Sequence, residues 1–223
     1  MVPINPTHRD LLGALSAGNP STRLKAALAA GTHPDPGLLG ELVARSAVEP
    51  DFFVRDMLTW ALTRLPAEIT VPRLLAELTS GRAQARSQAL HTLSKIGDRS
   101  AWPAITRALL HDADDEVARS AWRAAVVLVP DEERAALADD LAAQLGRGDR
   151  AVQLSLSRAL VALGDVAEPA LRTGLANPDP VVRAHARATQ RLLRDPDAGF
   201  ALDVEEAKRV AALGPERAAG TSC

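Results

Sequence analysis

With 47% hydrophobic residues among 223 but only 3% aromatics and no Tyr, the chain has to build its interior from Ala and Leu. Its net charge of −2, with 24% of residues charged, excludes a protein held to nucleic acid by bulk charge and one kept unfolded by an acidic excess. The single cysteine, Cys223, excludes a disulfide framework and a thiolate metal site, and no stretch approaches the ~18 apolar residues of a membrane span, so a cytoplasmic protein is expected.

Pro3 and Pro6 keep residues 1–8 out of a helix, and a flexible lead is expected there. A first helix pair is predicted over 10–17 and 21–30, split by Gly18-Asn19-Pro20, with Ser21 as N-cap of the second member. After the break His33-Pro34-Asp35-Pro36-Gly37, a second pair is predicted over 38–48 and 51–65, closed by Pro66. The third begins at Val71-Pro72, breaks at Ser80-Gly81 and resumes over 83–96, ending at Gly97-Asp98. The fourth covers 101–110 and runs from the acidic turn Asp112-Ala113-Asp114-Asp115 through Val129, where Pro130 stops it. The fifth covers 131–145 and 150–163, the sixth 167–175 and 180–193. A last helix over 202–213 is expected to cap the stack, which makes 9–213 one domain and leaves 214–223, with Cys223, as a disordered tail.

One position recurs at the start of each second helix: Arg23, Arg55, Arg86, Arg119, Gln153 and Arg183, separated by 32, 31, 33, 34 and 30 residues. A period near 30 with two helices per unit predicts an all-α fold, an α-solenoid whose units bury their apolar faces only against their neighbours.

The segments Asn177-Pro178-Asp179-Pro180-Val181-Val182-Arg183, Lys95-Ile96-Gly97-Asp98 and Ala162-Leu163-Gly164-Asp165 resemble bacterial HEAT repeats, in the HEAT-like variety also seen in phycobilin lyase subunits. The likeness covers about residues 10–195, and the fifth repeat departs from it by carrying Gln153 in place of Arg. It implies that the repeated Arg pairs with acids in the turns of neighbouring units, for which Asp51, Asp114, Asp115, Asp149 and Asp179 are available. It also implies that second helices line a concave surface, with positions one, two, five and nine after the Arg facing the groove.

On that pattern the second repeat offers Asp56, Met57, Trp60 and Arg64, and the third Ser87, Gln88, His91 and Lys95. The fourth offers Ser120, Ala121, Ala124 and Leu128, with Arg123 at an exposed position, the fifth Leu154, Ser155, Arg158 and Ala162, and the sixth His185. Asp56 and Trp60 are four apart and share a helix face, with His91 expected at the level of Trp60 on the next second helix. A Trp, a carboxylate and an imidazole there would suit a cation, a base or a peptide side chain. Trp60 also has a core reading, the favoured one, and Trp102 and Trp122 read as core.

No His-Glu-x-x-His, Gly-x-Ser-x-Gly or phosphate-cradling glycine loop occurs, so no catalytic residue, metal or cofactor is expected. The acidic turn at Asp112 fails as a calcium loop, because Val117 and Arg123 stand where Gly and Glu are needed. The expected function is therefore a monomeric protein- or peptide-binding scaffold. The resemblance adds two alternatives: a DNA glycosylase-like enzyme acting on alkylated bases through Asp56, and a chromophore lyase-type subunit or chaperone.

Overall fold

The computed structural model describes residues 8–195, which divide into two units between Leu128 and Val129. The cap expected over 202–213, the lead at 1–7 and the tail with Cys223 lie outside the described residues. Everything described is helix, turn or loop, in hairpins laid side by side within each unit: an all-α fold of the α-solenoid class. Among the described residues no helix is long and apolar enough to cross a membrane.

The first unit holds α1 (His8–Leu15), α2 (Pro20–Thr32), α3 (Leu39–Ser46), α4 (Phe52–Thr63), α5 (Ala67–Glu77), α6 (Ala83–Ile96), α7 (Arg107–Leu110) and α8 (Asp115–Leu128). Each odd-numbered helix pairs with the next, and the second members stack in order, α2 on α4, α4 on α6, α6 on α8. Ala85 and Ala89 of α6 and Ala118, Ala121 and Ala125 of α8 are buried, and such small side chains let helix axes approach closely. Leu58, Leu62, Leu90, Leu93 and Trp122 fill the rest of this core.

At three places where the helices depart from expectation a proline is involved. Helix α2 starts at Pro20, whose fixed φ suits a first helical position, so Asn19 is the cap and its Oδ1 accepts from the Ser21 N–H at 2.8 Å. Helix α5 begins at Ala67, leaving Pro72 inside it; the Glu68 carbonyl that loses its helical partner belongs to an exposed residue that water can serve. The helix expected over 101–110 is broken. Pro103 disfavours helical geometry at Trp102, and a 3₁₀ segment, Arg99–Ala104, precedes the short α7. Gly97, at φ 72°, ends α6 in the left-handed conformation glycine tolerates best.

At four of its five positions the repeated Arg ties down the turn before its helix, while Arg119 donates to Glu116. Nη1 donates to turn carbonyls five and six residues earlier: Arg23 to Ala17 and Gly18, Arg55 to Glu49 and Pro50, Arg183 to Asn177 and Pro178, and Arg86 to Ser80 alone. Gln153 keeps one such bond, to Gly148 at 3.3 Å. The expected acid partners are corrected. Asp51, Asp114, Asp149 and Asp179 accept from backbone N–H groups of the helix they precede, so they act as caps. The ion pairs run instead to Glu49, 2.6 Å from Arg23, and to Asp112, 3.0 Å from Arg86. Each acid lies 26 residues past its Arg, in the turn of the next hairpin.

The second unit holds α9 (Arg134–Ala142), α10 (Arg150–Leu163), α11 (Glu168–Leu175) and α12 (Pro180–Arg194). Arg134 Nη2 closes the first pair on the Ala162 and Leu163 carbonyls at 3.1 and 3.0 Å. His185, 1% exposed, ties α12 to α10. Its Nδ1 accepts from the Gly146 N–H at 3.0 Å, which leaves the proton on Nε2, 2.9 Å from the Gln153 carbonyl and 3.0 Å from Ser157 Oγ. Thr189 donates to the His185 carbonyl, so Ser157 donates to Thr189 at 2.7 Å.

Burial, partly opposed by the Gln153 bond, holds the His185 imidazole down at about 4. Because the unfolded chain takes up this proton near pH 6.5, the stabilisation is complete above that pH and is lost as pH falls toward 4, to the extent of roughly 3 kcal/mol. In an NMR titration the His185 ring should keep its neutral chemical shifts to near pH 4. A midpoint near 6.5 would contradict the network.

Candidate functional site

A cavity of about 340 Å³ opens on the second helices of the first unit. Helix α4 supplies Phe52, Arg55, Asp56 and Thr59; α6 supplies Ser87, Gln88 and His91; α8 supplies Glu116, Arg119, Ser120 and Arg123. A neighbouring depression of about 280 Å³ shares Arg55, Ser87, Gln88 and Glu116 with it. In α4 and α8 the lining residues fall at steps of three, one and three, which place them on a single helix face. Counted from the repeated Arg, α6 presents positions one, two and five, as expected. Helices α4 and α8 both present minus three, zero, one and four, a face turned by about 100°.

This rotation decides which predicted residues meet. Asp56, Gln88, His91 and Arg123 line the cavity together. Met57 is half-buried outside it; Arg64 and Lys95 are exposed at the ends of α4 and α6; Arg158 is exposed on α10 in the second unit. Ala121, Ala124 and Leu128 of the expected groove face are fully buried. Trp60 is 38% exposed and lies against α2, where a Cβ on Gly31 would overlap its ring. It is neither a cavity side chain nor a fully buried one. Trp122 is core, as expected, and Trp102 is half-buried.

Arg123 Nη1 lies 3.0 Å from His91 Nδ1. A guanidinium only donates, so Nδ1 accepts and the imidazole is neutral with its proton on Nε2. Burial first, then the charges of Arg123 and Lys95, push His91 down to about 4 against the opposing pull of Asp56. Burial and the charge of Arg119 lower Arg123 as well. Arg119 donates Nη1 to Glu116 at 2.6 Å.

Two buried side-chain polar atoms among the described residues have no hydrogen-bond partner, Thr59 Oγ1 and Arg119 Nε. Both residues line this cavity. Buried polar atoms are normally paired, and leaving one unpaired costs about 1–3 kcal/mol. Both fall at one opening.

Sequence reasoning passed over Phe52 and Phe53. They are 65% and 70% exposed, stand edge to face at 5.6 Å, and the Arg55 guanidinium sits 6.0 Å from the Phe52 ring centroid. The signal was present: two of the three Phe in an aromatic-poor chain are adjacent, directly after a helix cap. The sequence offers Arg55 and Arg119 as ladder residues with a ligand-facing stripe as the alternative, and Glu116 only as part of the acidic turn; it gives no sign of Thr59. Among the described residues no group of three His, Cys, Asp or Glu is placed to hold a metal ion.

No family model and no curated protein matches this chain. Among solved structures, it is similar to the crystal structure of an engineered protein, at 23% identity over 88% of this chain and 96% of that one, with a TM-score of 0.47. It is also similar to the complex of CpcE and CpcF of phycocyanin lyase from Nostoc sp. PCC7120, at 19% identity over 86% of this chain and 79% of that one, with a TM-score of 0.47. Both scores fall below 0.5, and the fold assignment stands on the stacked helix pairs described above.

Proposed function

We propose that the chain is a HEAT-like protein- or peptide-binding module, and that α4, α6 and α8 carry its binding surface. The observation behind this reading is the coincidence at one opening of a cavity of about 340 Å³, two unpartnered buried polar atoms and an exposed aromatic pair. Solvent-facing aromatics beside a pocket are the usual anchors of a protein interface. Gln88, Ser87 and Ser120 offer the neutral donors and acceptors that a peptide backbone needs.

The glycosylase-like reading draws no support from the site. Asp56 has Arg123 and His91 across the cavity in place of Trp60, and guanidiniums alternate with carboxylates where a phosphate track would call for an unbroken basic stripe.

The test is selection of displayed peptides on the intact protein, followed by anisotropy titration of a selected peptide. Phe52→Ser/Phe53→Ser should leave the melting temperature nearly unchanged, since both rings are exposed, and weaken binding by about tenfold, the worth of one or two aromatic contacts. Equal affinity for the double variant and the parent would move the binding surface elsewhere.

A further inference from the structure

The repeats differ in what the ladder Arg holds. In Arg23 and Arg86 the Nε–Nη2 edge grips a carboxylate, with Nε 2.7 Å from Glu49 and 3.1 Å from Asp112. The residue 26 positions past Arg55 is Gly81, and past Arg119 it is Leu145, so neither Arg has an acid at the ladder offset. These are also the two ladder residues that line the cavity, whereas Arg86 between them, held by Asp112, does not. In Arg119 the atom equivalent to the gripping Nε is the one left buried and unpartnered.

Arg123 stands four residues on from Arg119 and lines the same cavity, with one hydrogen bond, from Nη1 to His91. Like charges at this spacing oppose each other on a helix. An anion between the two guanidiniums removes it. Three guanidiniums, those of Arg55, Arg119 and Arg123, face two carboxylates, those of Asp56 and Glu116, so one added carboxylate balances the cavity. A phosphate dianion would exceed that balance beside Asp56 and Glu116. Thr59, whose buried hydroxyl has no partner, lines the same cavity.

We propose that the cavity takes the side-chain carboxylate of a Glu or Asp in a partner peptide, held by Arg119 and Arg123 as Glu49 and Asp112 are held in the sister repeats, with a neighbouring apolar side chain on Phe52 and Phe53. This rests on the peptide-binding reading and specifies its chemistry.

The test uses the full chain and three pools of fluorescein-labelled decapeptides that differ at one central position: Leu-Glu, Leu-Gln or Leu-phosphoserine. Anisotropy titration should show the Glu pool binding at least about tenfold more tightly than the Gln pool, as a charge-assisted pair requires. Arg123→Gln, a change at an exposed position, should bring the two within about threefold while leaving the melting temperature near that of the parent. Equal binding of the Glu and Gln pools overturns the carboxylate assignment and leaves peptide binding standing. Tightest binding of the phosphoserine pool overturns it in favour of a phosphopeptide. Binding of none of the pools overturns both readings.

Discussion

Glu49→Gln should cost the first unit about 3–5 kcal/mol, lowering its melting temperature by on the order of 10–20 °C. Glu49 is fully buried in the turn before α4. Its carboxylate accepts from Arg23 Nε at 2.7 Å and Nη2 at 2.6 Å, from Arg45 Nε at 2.7 Å and from the Asp51 N–H at 3.0 Å. Its carbonyl accepts from Arg55 and from Gln84, so one residue joins α2, α3, α4 and α6. The amide keeps the shape but leaves Arg23, itself 5% exposed, with an uncompensated charge.

Acid should reproduce part of this loss. Burial alone would raise the Glu49 carboxyl, but the hydrogen bonds from Arg23, Asp51 and Arg45 outweigh it and hold the group at about 2. The unfolded chain takes up this proton near pH 4.5, so the stabilisation is present above that pH and fades as pH falls toward and through 2. The gap in stability between parent and Glu49→Gln should therefore narrow over that window. Trp60, Trp102 and Trp122 all belong to the first unit, so tryptophan fluorescence in urea reports its unfolding. A gap that stays constant with pH would show that the charge of Glu49 is not the source of the effect.

Trp122→Ala should be comparably severe, about 3–5 kcal/mol from lost burial and the cavity left behind. Trp122 is fully buried in α8, and its Nε1–H donates to the Leu110 carbonyl at 2.9 Å, closing the end of the four-residue α7. Trp122→Phe separates the two contributions: most of the volume stays, and an unpaired Leu110 carbonyl costs about 1–3 kcal/mol. Peptide binding should survive Trp122→Phe, because Trp122 is not among the residues that line the cavity. Loss of binding in a variant that still folds would show that the cavity depends on this anchor.

The limits of sequence reasoning are clear at Arg119. Its recurrence is legible in the sequence, but the turn-carbonyl bonds made by Arg23, Arg55, Arg86 and Arg183 are not, and Arg119 itself donates to Glu116 instead. That no acid stands 26 residues past Arg119, as Glu49 does past Arg23 and Asp112 past Arg86, is legible once that offset is known. Without that offset the nearest acids looked like partners, and they turned out to be caps. A short Asp at a helix start is already engaged by that helix's N–H groups. Phe52-Phe53 was overlooked because position rules counted from the Arg leave no place before it.

From the sequence alone follow the all-α repeat, the approximate bounds of each second helix and the recurrence of the Arg at its start. These depend on capping, proline placement and i,i+4 spacing, forces that act within a few residues. The tertiary structure decided which face of each helix meets the opening. Moving one residue along a helix turns the face by about 100°, and that rotation is set by how side chains on neighbouring helices interlock. So Trp60 lies over Gly31 beside α2, while Asp56, His91 and Arg123 come together from three helices around one cavity.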